Sequence, residues 1–170
     1  MREGVIKTTI PHFTLRPAGE DDTALILMFI KELAEYERLA HEVVATESLL
    51  RETLFGDRQV AEVVIGEYAG EPVGFALFFH SFSTFLGRPG LYLEDLFVKP
   101  AMRSRGFGRV MLAYLAHLAQ ERQCGRLEWS VLDWNDSARR FYRSLGAGEM
   151  DEWTVNRLTG ETLARLAAEF

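Results

Sequence analysis

The chain has 170 residues, 48% of them hydrophobic and 26% charged, with a formal net charge of -6. That is the composition of a single globular domain, 1–170, and it excludes a disordered chain; the acidic balance argues against a nucleic-acid partner and for cationic small molecules. A lone cysteine, Cys124, excludes an internal disulfide and a cysteine zinc cluster, no apolar run reaches membrane-span length, and the opening residues hold no signal-peptide core, so a cytoplasmic location with no membrane contact is expected.

Along the chain, 13–16 reads as a strand closed by Pro17. Glu20, Asp21 and Asp22 then offer caps and favourable charge for a helix that buries Leu25 to Ile30 with Leu33, Ala34 and Tyr36. A second helix is expected from Thr46. Two strands, 59–67 and 72–82, joined through Tyr68-Ala69-Gly70-Glu71, read as a hairpin. A third strand, 91–98, leads through a loop into a helix over 106–122, where Val110, Met111, Tyr114, Leu115 and Leu118 recur at helical spacing. A strand at 126–132, a short helix at 137–144, a last strand at 152–157 and a terminal helix at 160–170 complete the pattern. The order implies an α/β (α+β) fold, a mixed sheet with helices on both faces, and a parallel strand–helix–strand unit over 91–132.

The loop Lys99-Pro100-Ala101-Met102-Arg103-Ser104-Arg105-Gly106-Phe107-Gly108-Arg109 lies between a strand and a helix start. Free N–H groups and the helix dipole there attract anionic oxygens, and glycines let a pyrophosphate approach the backbone. Arg103, Arg105 and Arg109 add positive charge. Gly-Lys-Ser/Thr is absent, and position 111 is Met111, so neither a P-loop nor a dinucleotide fingerprint fits. The competing reading is a glycine turn that caps a helix, with its arginines in solvent.

Glu94 and Asp95 interrupt the apolar strand Leu91-Tyr92-Leu93 … Leu96-Phe97-Val98. Adjacent carboxylates in a central strand need solvent or partners, and regular alternation sends them to opposite faces. They could serve an ammonium ion, which must be bound and deprotonated before it attacks a thioester; a salt bridge to an arginine is the alternative. Asn135 stands where a helix N-cap belongs, and Tyr142 near that helix's end is either an O–H donor to a departing thiolate or a packed aromatic. His12, His41, His80 and His117 show no metal spacing, so no metal is expected; His80 falls near the loop that precedes the acidic pair.

Arg103-Ser104-Arg105-Gly106-Phe107-Gly108 resembles the acetyl-CoA loop of the GNAT acetyltransferase superfamily, Arg/Gln-x-x-Gly-x-Gly/Ala, and 135–147 resembles its later motif. The resemblance implies a GNAT fold with a splayed pair of strands for the pantetheine arm. It further implies that acetyl-CoA is bound by Leu96, Val98, Arg103, Ser104, Arg105, Gly106, Phe107, Gly108, Arg109 and Asn135, and that Tyr142 acts as general acid. Leu91 to Val98 and Ile30 to Glu37 are similar to the spermidine/spermine (diamine) acetyltransferase branch. That likeness implies a homodimer, a cationic amine substrate, Glu94 as base through water, and an amine pocket of Tyr36, Glu37, Glu94 and Asp95. The branch's Asp-Pro-Trp is missing: Ser83, Thr84 and Phe85 stand there, which favours a shorter amine such as thialysine. The rival readings are a protein or peptide N-acetyltransferase and a non-catalytic acyl-CoA sensor.

Overall fold

The computed structural model describes residues 4–170, which divide into two compact units, the first ending at Ser130 and the second running from Val131 to Phe170. The first unit holds a six-stranded sheet in chain order, β1 (Ile6–Lys7), β2 (Phe13–Pro17), β3 (Glu62–Tyr68), β4 (Glu71–Ser83), β5 (Arg88–Val98) and β6 (Leu127–Trp129). Neighbours are antiparallel except β5 and β6, which are parallel as the strand–helix–strand unit requires. Helices α1 (Thr23–Tyr36) and α2 (Glu47–Phe55) belong to one face, and α3 (Phe107–Glu121) to the other.

On the first face, α1 sends Ile26, Phe29 and Leu33 against Val63, Ile65, Phe75 and Phe97 of the sheet, with Leu54 of α2 closing the cluster. Phe29 stacks on Phe75 at 5.5 Å between ring centroids and meets Phe97 at 5.9 Å. The spacing of these α1 residues is the one-face period of a helix. The second helix starts one residue after the expected Thr46, which is its N-cap, with Oγ1 accepting the Leu49 N–H at 3.2 Å. Asp22 behaves differently from a simple cap: its carboxylate takes the Gly19 N–H and both Nη groups of Arg16, whose Nε donates to buried Glu67. This pairing holds the Arg16 guanidinium well above its usual range and ties β2, β3 and the start of α1 together.

On the second face, Met111, Leu112 and Leu115 of α3 are buried with Phe13, Leu15, Val64, Ala76, Leu91 and Leu93. Phe107 stacks on Phe13 at 4.1 Å. Gly66 allows this approach, because a Cβ there would stand 3.0 Å from Phe13 Cζ and 3.5 Å from Met111 Sδ.

The second unit contains α4 (Asp136–Ser144) and α5 (Gly160–Ala167). The strand expected at 152–157 does not form. Trp153 and Val155 alternate with polar residues, yet they are 74% and 82% exposed, and no strand pairs with them among the described residues. Alternation marks a segment able to form a strand, but a ladder partner has to be present. The strand expected at 126–132 shortens to three residues for the same reason, since β5 offers it only Leu91, Tyr92 and Leu93. The short β1, opposite Thr14 and Leu15, was not legible in the pattern.

Candidate active site

The register of β4 against β5 places the acidic pair. Leu77 faces Asp95, the next pair is Phe78 with Leu93, and Glu94 is the extra residue of a β-bulge. Regular alternation is therefore broken at the one point where sequence reasoning relied on it. Asp95 shares the α1 face with Phe97 and Phe75, and beyond the bulge Tyr92 falls on that face too, while Glu94 is exposed. Glu37, the residue that ends α1, is half-buried nearby.

Burial and like charge act together on this cluster. Burial pushes the Asp95 carboxyl up to about 6, and the negative charges of Glu94 and Glu37 push the same way. Burial also raises Glu37. No arginine or lysine pairs with Asp95 among the described residues, so the alternative of a buried salt bridge falls away. Three carboxylates held together in this way favour a ligand that brings positive charge.

The strand then runs into the glycine loop. A short turn at Pro100–Met102 precedes extended Arg103, and Ser104 and Gly106 both adopt left-handed backbone, at φ 61° and 84°. Gly106 is the N-cap of α3 and supplies no side-chain cap, so the first-turn N–H groups are not occupied by one. A Cβ on Gly108 would meet nothing within 4 Å. The cradle is thus open where a pyrophosphate would lie against the helix start, and its donor set suits that group.

The loop's side chains are more ordered than free cations. Arg103 donates through Nε to the Val98 carbonyl at 2.9 Å, and its guanidinium carbon lies 4.3 Å from the Tyr36 ring centroid and 5.6 Å from that of Phe97. Arg105 stands 5.6 Å from the Tyr68 ring, while Ser104 and Arg109 are exposed. Phe107 is buried against Phe13, so only its main chain is available to a ligand. Leu96 and Val98 pair with Ala76 and Gly74 on one side; β6 pairing stops at Leu93, and the other edge of β5 has no strand partner over 94–98.

Asn135 and Tyr142 belong to the second unit. Asn135 Oδ1 accepts the Ala138 N–H at 3.2 Å and so caps α4. Tyr142 is half-buried beside Phe141, with 5.4 Å between ring centroids, and its carbonyl accepts the N–H groups of Leu145 and Ala147. Arg139 and Arg143 both hold Glu149, and their hydrogen bonds pull that carboxyl down to about 2.

Two further residues are placed by the register. His80 is on the α3 face, with Nε2 3.4 Å from Arg122 Nη1 in the Arg122–Glu62 pair, which removes it from the face of Asp95. Tyr92 was overlooked: it shares the Asp95 face, lies against Phe79, and its hydroxyl is 2.8 Å from Ser130 Oγ. Only knowledge of the bulge could have moved it there. Among the described residues no group of three or more His, Cys, Asp or Glu side chains could hold a metal ion, and no helix is long and apolar enough to cross a membrane.

Comparison with known proteins gives one answer at three levels. The profile of the Acetyltransferase (GNAT) family matches residues 28–147. The thialysine N-epsilon-acetyltransferase of Bos taurus is 38% identical over 166 residues, covering 91% of this chain and 97% of that protein. An L-ornithine N5-acetyltransferase of Arabidopsis thaliana is 32% identical, covering 88% and 85%. Among solved structures, an integron cassette protein from the mobile metagenome of V. cholerae superposes with a TM-score of 0.77 at 25% identity, covering 92% of this chain and 98% of that one. With a glycine cradle at the start of α3 and this likeness along most of its length, the chain belongs to the GNAT family and is an acetyltransferase.

Proposed function

We propose that the protein transfers the acetyl group of acetyl-CoA to a primary amine of a small cationic molecule, a diamine, polyamine or thialysine-like amino acid, by direct attack. The observation that carries this reading is the cluster of Glu37, Glu94 and Asp95, which has no positive partner among the described residues and includes a carboxyl pushed up to about 6 by burial and like charge. Asp95 and Glu37 bind the ammonium, and Tyr36 walls the pocket. Glu94, exposed on the bulge, accepts a proton through water. The free amine attacks the thioester carbon, the C–S bond breaks, and Tyr142 gives its proton to the departing thiolate. The amides and arginines of 103–109 hold the pyrophosphate, the open edge of Leu96 and Val98 takes the pantetheine arm, and Asn135 meets the CoA from the start of α4.

The turn after β4 supports a short acceptor. Ser83 is buried there and Phe85 is 96% exposed, so the turn offers no carboxylate to a long polycation. The two relatives named for thialysine and ornithine acetylation fit that preference. We further propose that residues 1–170 act as one GNAT domain, in the cytoplasm, as a homodimer without nucleic-acid or membrane partners. None of residues 131–170 is buried in the single chain, and Met150, Trp153, Val155, Leu163 and Leu166 stand exposed, which supports a second copy as cover.

The test is thiol release from acetyl-CoA across thialysine, lysine, ornithine, diamines, spermidine and a lysine peptide. Turnover with a short cationic amine is expected. Turnover with the peptide alone refutes the acceptor class, and CoA binding without turnover on any amine refutes the enzyme reading of this site.

A further inference from the structure

Tyr36 and Arg103 come from opposite ends of the reaction as the residues were assigned, one to the amine and one to the pyrophosphate. The structure puts them in contact. The Arg103 guanidinium carbon is 4.3 Å from the centre of the Tyr36 ring, close enough for a stacked cation–π pair. Its Nε is held by the Val98 carbonyl at 2.9 Å, and the Phe97 ring stands 5.6 Å away. A main-chain carbonyl at the end of β5 and an aromatic ring at the end of α1 therefore fix both the direction and the plane of one guanidinium. Nη1 and Nη2 remain as donors for an anion. Arg103 is only half-buried, and without the ring it would lose the group that selects one rotamer among many.

From this geometry we infer that Tyr36 is a positioning residue for acetyl-CoA, holding Arg103 in the orientation that meets the pyrophosphate, and so couples the amine pocket to the CoA site. The inference rests on the acetyl-CoA reading of the glycine loop. The next residue, Glu37, belongs to the carboxylate cluster, so an amine that orders the end of α1 also orders the support of Arg103. Such coupling is reciprocal: CoA must raise amine affinity by the factor that amine raises CoA affinity.

The experiment is a double-mutant cycle read by CoA affinity in calorimetry, in which CoA is the probe and no turnover is needed. Tyr36 is 40% exposed, so its replacement leaves the core intact; thermal melts confirm folding. Tyr36→Phe keeps the ring and should bind CoA within about twofold of the parent, whereas Tyr36→Leu should weaken it about fivefold. Arg103→Met should weaken it about tenfold or more, and adding Tyr36→Leu to Arg103→Met should change nothing further. Arg103→Lys replaces Arg103→Met in the cycle if the latter fails to fold, because it keeps the charge and loses the plane. In turnover, Arg103→Lys should raise the amine KM about threefold at saturating acetyl-CoA, whereas a role confined to the CoA site would leave that KM at the parent's value. Unchanged CoA affinity in Tyr36→Leu, or additive losses in the double variant, overturns the coupling while the acetyl-CoA reading stands. A parent that does not bind CoA overturns both.

Discussion

Replacing Asp95 with Asn tests whether this carboxyl is buried for the sake of a cation. Its pKa rises from an ordinary 3.8 to about 6, through burial first and then the charges of Glu94 and Glu37. The folded protein thus holds the proton more tightly than the unfolded chain, so stability falls as pH rises between those values and levels off above them. A shift of about two units corresponds to about 3 kcal/mol at about 1.4 kcal/mol per unit. Asp95→Asn, neutral throughout, should match the parent below about pH 4 and exceed it by about 3 kcal/mol above about pH 7. Urea unfolding followed by tryptophan fluorescence at several pH values gives the difference directly. A bound ammonium reverses the sign, since it compensates the carboxylate. The parent's melting temperature should therefore rise more with added amine at about pH 7.5 than at about pH 5, and the variant should lose that response. A stability difference that does not vary with pH, or an equal amine response in both proteins, refutes the reasoning.

If Tyr142 is the general acid, Tyr142→Phe should lower kcat by about 10² with little change in the KM for acetyl-CoA; steady-state kinetics with a good thiol leaving group should narrow the gap. Glu94→Gln should flatten the acidic limb of the kcat/KM profile and slow turnover at neutral pH, and an unaltered profile removes it as base. Gly106→Ala meets a left-handed backbone at φ 84° and Ile10 Cδ1 3.3 Å from the new methyl. It should destabilise the protein by about 1–2 kcal/mol in thermal unfolding and weaken CoA beyond that loss.

The sheet and its helices were legible because each strand or helix carries its own period. Phe13 and Leu15 alternate toward α3, Ile26, Phe29 and Leu33 recur toward the sheet, and Thr46 announces α2. What escaped was what depends on a partner. The 152–157 segment has a strand's pattern and no ladder to join, and β6 ends where β5 stops offering pairs. The glycine loop could be placed between β5 and the start of α3 from residue types alone. That Arg103 would lie on Tyr36, sixty-seven positions away, was not legible, because no local pattern encodes a contact between a helix end and a loop after a distant strand.

The bulge at Glu94 explains why two adjacent carboxylates can do different work. In a regular strand Asp95 would face α1 and Glu94 the α3 core, where an unpaired carboxylate costs several kcal/mol. The extra residue removes that second burial. Alternation resumes one step later, so that Leu93 and Leu91 still reach the α3 core while Glu94 stays in water. Asp95 stays half-buried on the α1 face with Glu37's charge acting on it, where, on the proposed reading, low polarity strengthens its hold on an ammonium ion. On that proposed reading, one carboxylate binds the amine and its neighbour, free to reach solvent, relays the proton away. Deleting Glu94 altogether would restore regular pairing of β4 with β5 and turn Asp95 into the residue after Leu93, a change that should leave the fold stable and abolish transfer.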